Sequence, residues 1–200
     1  MEQPQFFPVS LNVQGKTCLV VGGGPVAEKR ARSLLSCGAV VRLVSPDVTP
    51  WLAAAAEAGT LVWQHEPFRP EHVEGALVVC VATSERQTNA EIYHVAQQQR
   101  CLVNVADDPP HCDFYMPAVV RRGHLTVAVS TEGQAPAFAA WLCRLFDRLL
   151  DRRLDQVVAA YARLRPVMKQ RYPGMRARIQ AWERRIESDA PQVFHTTVTK

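Results

Sequence analysis

Two groups of residues in this chain have the types and spacing to do chemistry. The first is Cys18-Leu19-Val20-Val21-Gly22-Gly23-Gly24-Pro25-Val26-Ala27. There a short apolar run ends in three glycines and gives way to helical spacing. Gly22-x-Gly24-x-x-Ala27 has the G-x-G-x-x-G/A form of a strand–turn–helix unit that holds a dinucleotide. Gly22 permits the tight turn, and Gly24 lets the backbone approach a pyrophosphate. Small Ala27 lets the helix pack close to the strand, and the anion rests on the positive helix N-terminus. The second group is Asp107-Asp108, paired carboxylates just after the apolar run Leu102–Val105. A carboxylate beside the redox end of a dinucleotide can serve as a general base. It can equally be a loop carboxylate capping the turn before Pro109-Pro110.

Such residues act only if strands and helices bring them to one edge. Apolar runs alternate with helical segments through the first half of the chain. Strands are predicted at Thr17–Val21, Val40–Val44, Leu61–His65, Ala76–Ala82 and Leu102–Val105. Helices are predicted over Val26–Cys37, Val48–Ala58 and Thr88–Gln99, with a connector over Arg69–Gly75. The alternation implies an α/β fold with a doubly wound parallel sheet. In such a sheet the ligand lies outside the carboxyl ends of the strands. The candidate cofactor residues are therefore Gly22, Gly23, Gly24, Pro25 and Val26 after the first strand, Ser45, Pro46 and Asp47 after the second, and Thr83 with Ser84 after the apolar strand. Ala106, Asp107 and Asp108 follow the last. Asp47 stands where an acidic residue grips a ribose, although it is late and follows a proline. It either reaches the ribose or caps the next helix. No arginine follows it to hold a 2′-phosphate, which favours NAD over NADP.

The pattern changes after Asp113. Phe114–Arg121 and His124–Ser130 flank Arg122-Gly123 as a hairpin. Pro136 is placed to start a helix, and Phe138, Trp141, Leu142, Leu145 and Leu149 form an apolar stripe along it. A second helical run, Leu154–Glu187, is interrupted near Tyr172-Pro173-Gly174, and Val193–Lys200 is an unpatterned tail expected to be disordered. A hairpin and one helix bury too little of their own apolar surface. Residues 116–150 are therefore expected to form a homodimer.

The 200 residues suffice for one α/β domain and a smaller module, and 48% hydrophobic content supports a real core. No run is apolar and long enough to span a bilayer, and no secretory signal is visible, so the expected location is the cytoplasm. The net charge of +4 is uneven, with residues 151–200 carrying 11 Lys/Arg against 5 Asp/Glu. An anionic partner is expected there, either a polycarboxylate or nucleic acid, unless the charges are simply a solvated helix face. The six cysteines show no metal-ligand spacing and read as buried reduced thiols. Cys112, in a polar loop, reads as an incidental thiol. His111 and His124 flank the presumed site, and His65, His72 and His94 look peripheral. No stable metal site is indicated.

Beyond these readings, roughly residues 5–190 resemble the precorrin-2 dehydrogenase family, the NAD-dependent module of siroheme synthases. The resemblance is carried by Phe7-Pro8-Val9-Ser10-Leu11, Gly22-Gly23-Gly24-Pro25-Val26-Ala27, Ala82-Thr83, Asn104-Val105-Ala106-Asp107, Phe114-Tyr115-Met116-Pro117-Ala118 and Val127-Ala128-Val129-Ser130-Thr131-Glu132-Gly133. The glycine motif is shared widely, but the ordered set is specific. The resemblance implies a Rossmann-like NAD-binding domain over 1–115, a dimerisation segment over 116–150 and a C-terminal helical segment over 151–192. It implies NAD-dependent conversion of precorrin-2, a tetrapyrrole, to sirohydrochlorin, with Asp107 as the functional carboxylate. Some relatives also insert ferrous iron. A sensor without turnover and a nucleic-acid-binding module are the competing classes, and neither nucleic acid nor membrane is an expected partner. Many relatives have Ser-Pro where this chain has Ala135-Pro136, and a chain of this length is expected to lack a methyltransferase domain.

Overall fold

The computed structural model describes residues 6–150 and 153–194. The chain divides after Tyr115 into two compact units.

The first unit is built on five strands, β1 (Thr17–Val21), β2 (Val40–Val44), β3 (Val62–Gln64), β4 (Val78–Val81) and β5 (Leu102–Val105). They pair in parallel in the order β3-β2-β1-β4-β5. The glycine turn therefore follows the central strand, next to the point where the strand order reverses. β1 and β4 are almost wholly buried, as near-continuous apolar strands covered on both faces must be. One face of β1, β4 and β5 packs Leu19, Val21, Val79, Val81, Val103 and Val105 against Ile92 and Ala96.

Helix α1 (Pro25–Leu35) buries Ala27, Ala31 and Leu34, one helical stripe, and Ala27 is fully inaccessible. Helix α2 (Pro50–Glu57) is capped by Thr49, whose hydroxyl accepts from the Leu52 amide at 3.4 Å. Helix α3 (Arg86–Gln98) starts two residues before the predicted Thr88. The predicted connector contains a 3₁₀ turn, Pro70–Val73. His72 is not peripheral. It is buried there, accepting from the Arg69 amide at 2.9 Å and lying 3.1 Å from a Glu66 carboxylate oxygen.

The second unit opens with a hairpin, β6 (Ala118–Arg122) and β7 (Leu125–Val129), in antiparallel register. Arg122 pairs with Leu125, so the turn is Gly123-His124, one residue later than Arg122-Gly123. Helix α4 (Pro136–Leu149) packs on both strands. Its buried positions are Ala139 and Cys143, while Phe138, Trp141 and Leu149 of the apolar stripe are exposed. Helices α5 (Leu154–Arg171) and α6 (Met175–Phe194) pack together. Tyr161 stacks edge-on against Trp182 and donates to Asp189 at 3.1 Å, and Arg185 also donates to Asp189, at 2.8 Å. α6 continues through Phe194. The rest of the expected tail lies outside the described residues.

Candidate functional site

Gly22 leaves β1 with φ +113°, a conformation that L side chains rarely adopt. A Cβ there would run into the Ala82 carbonyl at the end of β4. A Cβ on Gly23 would strike the Asp47 carbonyl and lie 2.7 Å from Ser45 Oγ. The Thr49 amide donates to the Gly23 carbonyl at 2.9 Å. The turn is thus pressed between the ends of β2 and β4, and these two glycines exist for backbone contact.

Gly24 is different. It is the N-cap of α1, with φ −80° and ψ −174°, and no side chain caps the helix. A Cβ built on it meets nothing within 4 Å. The space above the first turn of α1 is open, Pro25 occupies the first helical position, and the helix end offers free amides and partial positive charge. A glycine cradle over an uncapped helix end is what a dinucleotide pyrophosphate needs, and the residues present fit that group.

From the turn the site extends both ways along the carboxyl edge of the sheet. Toward β2, Ser45 is buried and donates to the Asp47 carbonyl at 2.7 Å, while its own carbonyl accepts from Trp63 Nε1 at 2.9 Å. These two bonds make Ser45 part of the loop that follows β2. Thr49, not Asp47, caps α2, so of the two readings of Asp47 the capping one is ruled out. Asp47 and Pro46 are exposed beside the glycine turn. Thr49 also donates to Glu28 at 2.6 Å, and Arg32 donates to Glu28 at 2.8 Å. These bonds, Thr49 first, hold the Glu28 carboxyl below the usual carboxylate range. The Arg32 guanidinium lies 3.6 Å over the Trp51 ring. This chain of contacts fixes α1 to α2.

Toward β5 there is a cavity of about 380 Å³, lined by Val26, Thr83, Arg86, Asn89, Asp107 and Asp108 among others. Thr83 donates to Asn89 Oδ1 at 2.5 Å, and Asn89 Nδ2 donates to the Thr83 carbonyl at 3.3 Å. This pairing pins the loop after β4 to the first turns of α3. Asn89 is buried and Arg86 is exposed, and sequence reading named neither. A helix starting at Arg86, so that its first turns reach the sheet edge, was the signal that could have found them.

Asp107 sits on this cavity at φ +57°, a left-handed conformation uncommon outside glycine but tolerated by aspartate. It is exposed, and among the described residues no group bonds its carboxylate. Asp108 is engaged instead, 2.7 Å from His111 Nδ1. The His111 ring lies against Tyr93, with centroids 4.6 Å apart. The paired carboxylates are thus unequal, one free at the cavity and one tied to an imidazole. Cys112 is half-buried rather than loosely placed in a polar loop, and its thiol reaches the carbonyls of Val105 at 3.2 Å and Asp108 at 3.3 Å. Of the sequence-predicted set, Val26, Thr83 and Asp107 share the cavity. Gly22 packs against Ala82, another of its lining residues, and Ser45 and Asp47 lie against Gly23 on the β2 side of the turn. His65, His94 and His124 are not among the lining residues. Among the described residues no group of three His, Cys, Asp or Glu is placed to hold a metal ion, and no helix is long and apolar enough to cross a membrane.

Comparison with known proteins adds to this geometry. Residues 9–118 match a family model described as putative NAD(P)-binding, and residues 122–145 match one described as the central part of a sirohaem biosynthesis protein. Siroheme synthase 1 of Aeromonas salmonicida is 40% identical over 184 residues, 92% of this chain and 39% of that protein. The siroheme synthase of Nitrosococcus oceani is 36% identical over 191 residues, 95% of this chain and 41% of that protein. The chain therefore spans about two fifths of the length of these relatives. A solved structure, SirC, precorrin-2 dehydrogenase, superimposes with a TM-score of 0.70 at 25% identity, covering 90% of this chain and 89% of that one.

Proposed function

Because the chain belongs to the siroheme synthase N-terminal and precorrin-2 dehydrogenase family, an NAD(P)-binding domain followed by the sirohaem central segment, we propose that it oxidises precorrin-2 to sirohydrochlorin with NAD. The observation that carries this reading is the free Asp107 carboxylate on a cavity whose lining reaches Val26, in the first turn of the helix that follows the glycines. Bound NAD supplies a hydride acceptor. Gly22, Gly23, Gly24, Pro25 and Val26 would hold its pyrophosphate, and Asp47 its adenosine ribose. No lysine or arginine lies between Ser45 and Thr60 to meet a 2′-phosphate, which supports NAD over NADP. Thr83 would stand beside the nicotinamide half. Asp107 would accept the proton lost as the hydride leaves the reduced tetrapyrrole: precorrin-2 and NAD⁺ become sirohydrochlorin, NADH and a proton. The same unpaired carboxylate suits a second step, taking pyrrole N–H protons as ferrous iron, a substrate, enters sirohydrochlorin.

The remaining features fit around this reaction. Exposed Val119, Phe138, Trp141 and Leu149 form an apolar face on the second unit. There a shallow cavity of about 550 Å³ is lined by Val119, Trp141, Arg144, Asp147 and Arg148, a surface suited to a homodimer through residues 116–150. Exposed Arg163, Arg165, Lys169 and Arg171 on α5 suit the many carboxylates of the substrate. None of the six cysteines is in a disulfide, which suits a reducing cytoplasm.

The test is anaerobic incubation with precorrin-2 and NAD, following the sirohydrochlorin spectrum with and without ferrous iron. Asp107→Asn keeps the left-handed turn and removes the base. It is expected to bind NAD and lose about 100- to 10,000-fold in turnover. Asp108→Ala, whose partner is His111, is expected to keep most activity. The opposite pattern would move the base to Asp108, and full activity in both would remove the carboxylate from the reaction.

A further inference from the structure

We propose that Asn104 and Cys112 form a latch that positions Asp107, a role that rests on Asp107 being the proton acceptor. Val105 and Asp108 bracket Ala106 and Asp107 in the chain. The single thiol hydrogen of Cys112 is shared between the carbonyls of both bracketing residues, at 3.2 Å and 3.3 Å. One side chain thus draws together the two ends of the four-residue turn that carries Asp107.

The sulfur is itself held. Asn104 Nδ2 donates to Cys112 Sγ at 3.5 Å and to the Phe114 carbonyl at 2.8 Å. Both partners are acceptors toward that amide, so the orientation of Asn104 is set. Asn104 is 3% exposed on β5, and its backbone bridges antiparallel to Cys112. The outer end of the loop is fastened separately. The Asp113 amide donates to the Val103 carbonyl at 2.8 Å, and the Asp113 carboxylate accepts from the Val103 amide at 2.9 Å and from Gln97 Nε2 at 2.8 Å and 3.0 Å.

These two restraints add to the Ala106 amide's bond to the Val81 carbonyl at 2.9 Å and the His111 amide's bond to the Asp108 carbonyl at 3.1 Å. The Asp113 clamp fixes where the loop returns, and the Asn104–Cys112 latch fixes the turn inside it. Of the clamp and the latch, the latch is the one that ties the residues bracketing Asp107 to each other, and the φ of +57° at Asp107 costs free energy unless neighbouring contacts over-determine it. Burial pushes the Cys112 thiol above its ordinary range, so at neutral pH it keeps the hydrogen it must donate.

If the latch acts through Asp107, its loss should move turnover and spare binding. An error of about 1 Å in a reacting group can cost on the order of 100-fold. The experiment compares the full-length parent with Cys112→Ala, Cys112→Ser, Asn104→Ala and the double Asn104→Ala/Cys112→Ala variant. It reads kcat and KM for precorrin-2, NAD affinity and thermal midpoint. Cys112→Ala is expected to lose about 10- to 100-fold in kcat, with KM and NAD affinity within twofold of the parent. Cys112→Ser, which keeps a donor, should stay within about threefold of the parent. The double variant should lose no more than the worse single one, as residues acting as a unit do. A Cys112→Ala kcat within twofold of the parent, a serine variant as slow as the alanine one, or a loss confined to KM overturns the latch. Should alanine at 112 prevent folding, Cys112→Val against Cys112→Ser carries the same decision. A parent that binds NAD but never forms sirohydrochlorin refutes the reaction itself, a result distinct from any of these.

Discussion

Gly24→Val separates the binding role of the glycine turn from its folding role. Gly24 has φ −80° and ψ −174°, extended backbone that valine adopts without strain. Its Cβ would meet no atom within 4 Å. The cost to the fold is then the weaker N-cap preference of valine, about 1 kcal/mol. In a chain of this size that lowers Tm by roughly 2–4 °C. The cost to the ligand is far larger, because the branched side chain fills the open space over the first turn of α1. A pyrophosphate pushed off that helix end loses charge-assisted hydrogen bonds of about 1.5–3 kcal/mol each. Losing two gives at least ~3 kcal/mol, and at about 1.4 kcal/mol per tenfold the dissociation constant for NAD rises by at least ~100-fold. The assay is calorimetric titration with NAD, alongside far-UV circular dichroism and a melting curve. Gly22→Ala and Gly23→Ala are the contrast, since their Cβ atoms run into the backbone at Ala82 and Asp47. Those variants should lose structure as well as binding. A folded Gly24→Val variant that binds NAD within threefold of the parent would refute the assignment of the pyrophosphate to this turn.

Three further outcomes are expected. Light scattering at micromolar concentration should give a dimer for the parent and a monomer for Trp141→Asp, which places a charge in the exposed apolar face of α4; a monomeric parent refutes the interface. Neutralising Arg163, Arg165, Lys169 and Arg171 together should raise KM for precorrin-2 with NAD affinity nearly unchanged, and an unaltered KM would reduce these side chains to a solvated face. Burial raises the Cys18 thiol to about 11 and the Cys80 thiol to about 12, from an ordinary value of 9.0. The unfolded chain therefore gives up these protons first. The stability that the neutral thiols contribute is complete below pH 9.0 and is lost as pH rises toward 11 to 12. Denaturant unfolding at pH 7.5 and pH 10 should show this loss, and Cys80→Ala should narrow the difference between the two.

The first unit was legible because its elements are local. Apolar runs of the right length between glycines and prolines specify strands, and alternation with helical segments specifies a parallel sheet, since parallel neighbours need crossover connections. The bounds of β1, β2 and β5 could be read directly, and the glycine spacing identified the turn before any contact was known. The carboxyl-edge rule then pointed to Thr83 and Asp107 without side-chain coordinates.

What the chain does with equal-looking residues was decided only by folding. Asp107 and Asp108 are adjacent and identical in type, yet one faces the cavity unpaired and the other holds His111. Asp47 and Thr49 both had the chemistry to cap α2, and only Thr49 does. His72 and Cys112 looked peripheral or incidental and became buried or half-buried hydrogen-bonding groups, because their partners Glu66, Asn104 and the Val105 carbonyl are set by chain reversals. Periodicity reports which face of an element is apolar. It carries no information about which polar atom of another segment will arrive within hydrogen-bonding distance. That arrival depends on backbone angles such as φ +113° at Gly22 and φ +57° at Asp107, and those angles are fixed by contacts made only in the tertiary structure.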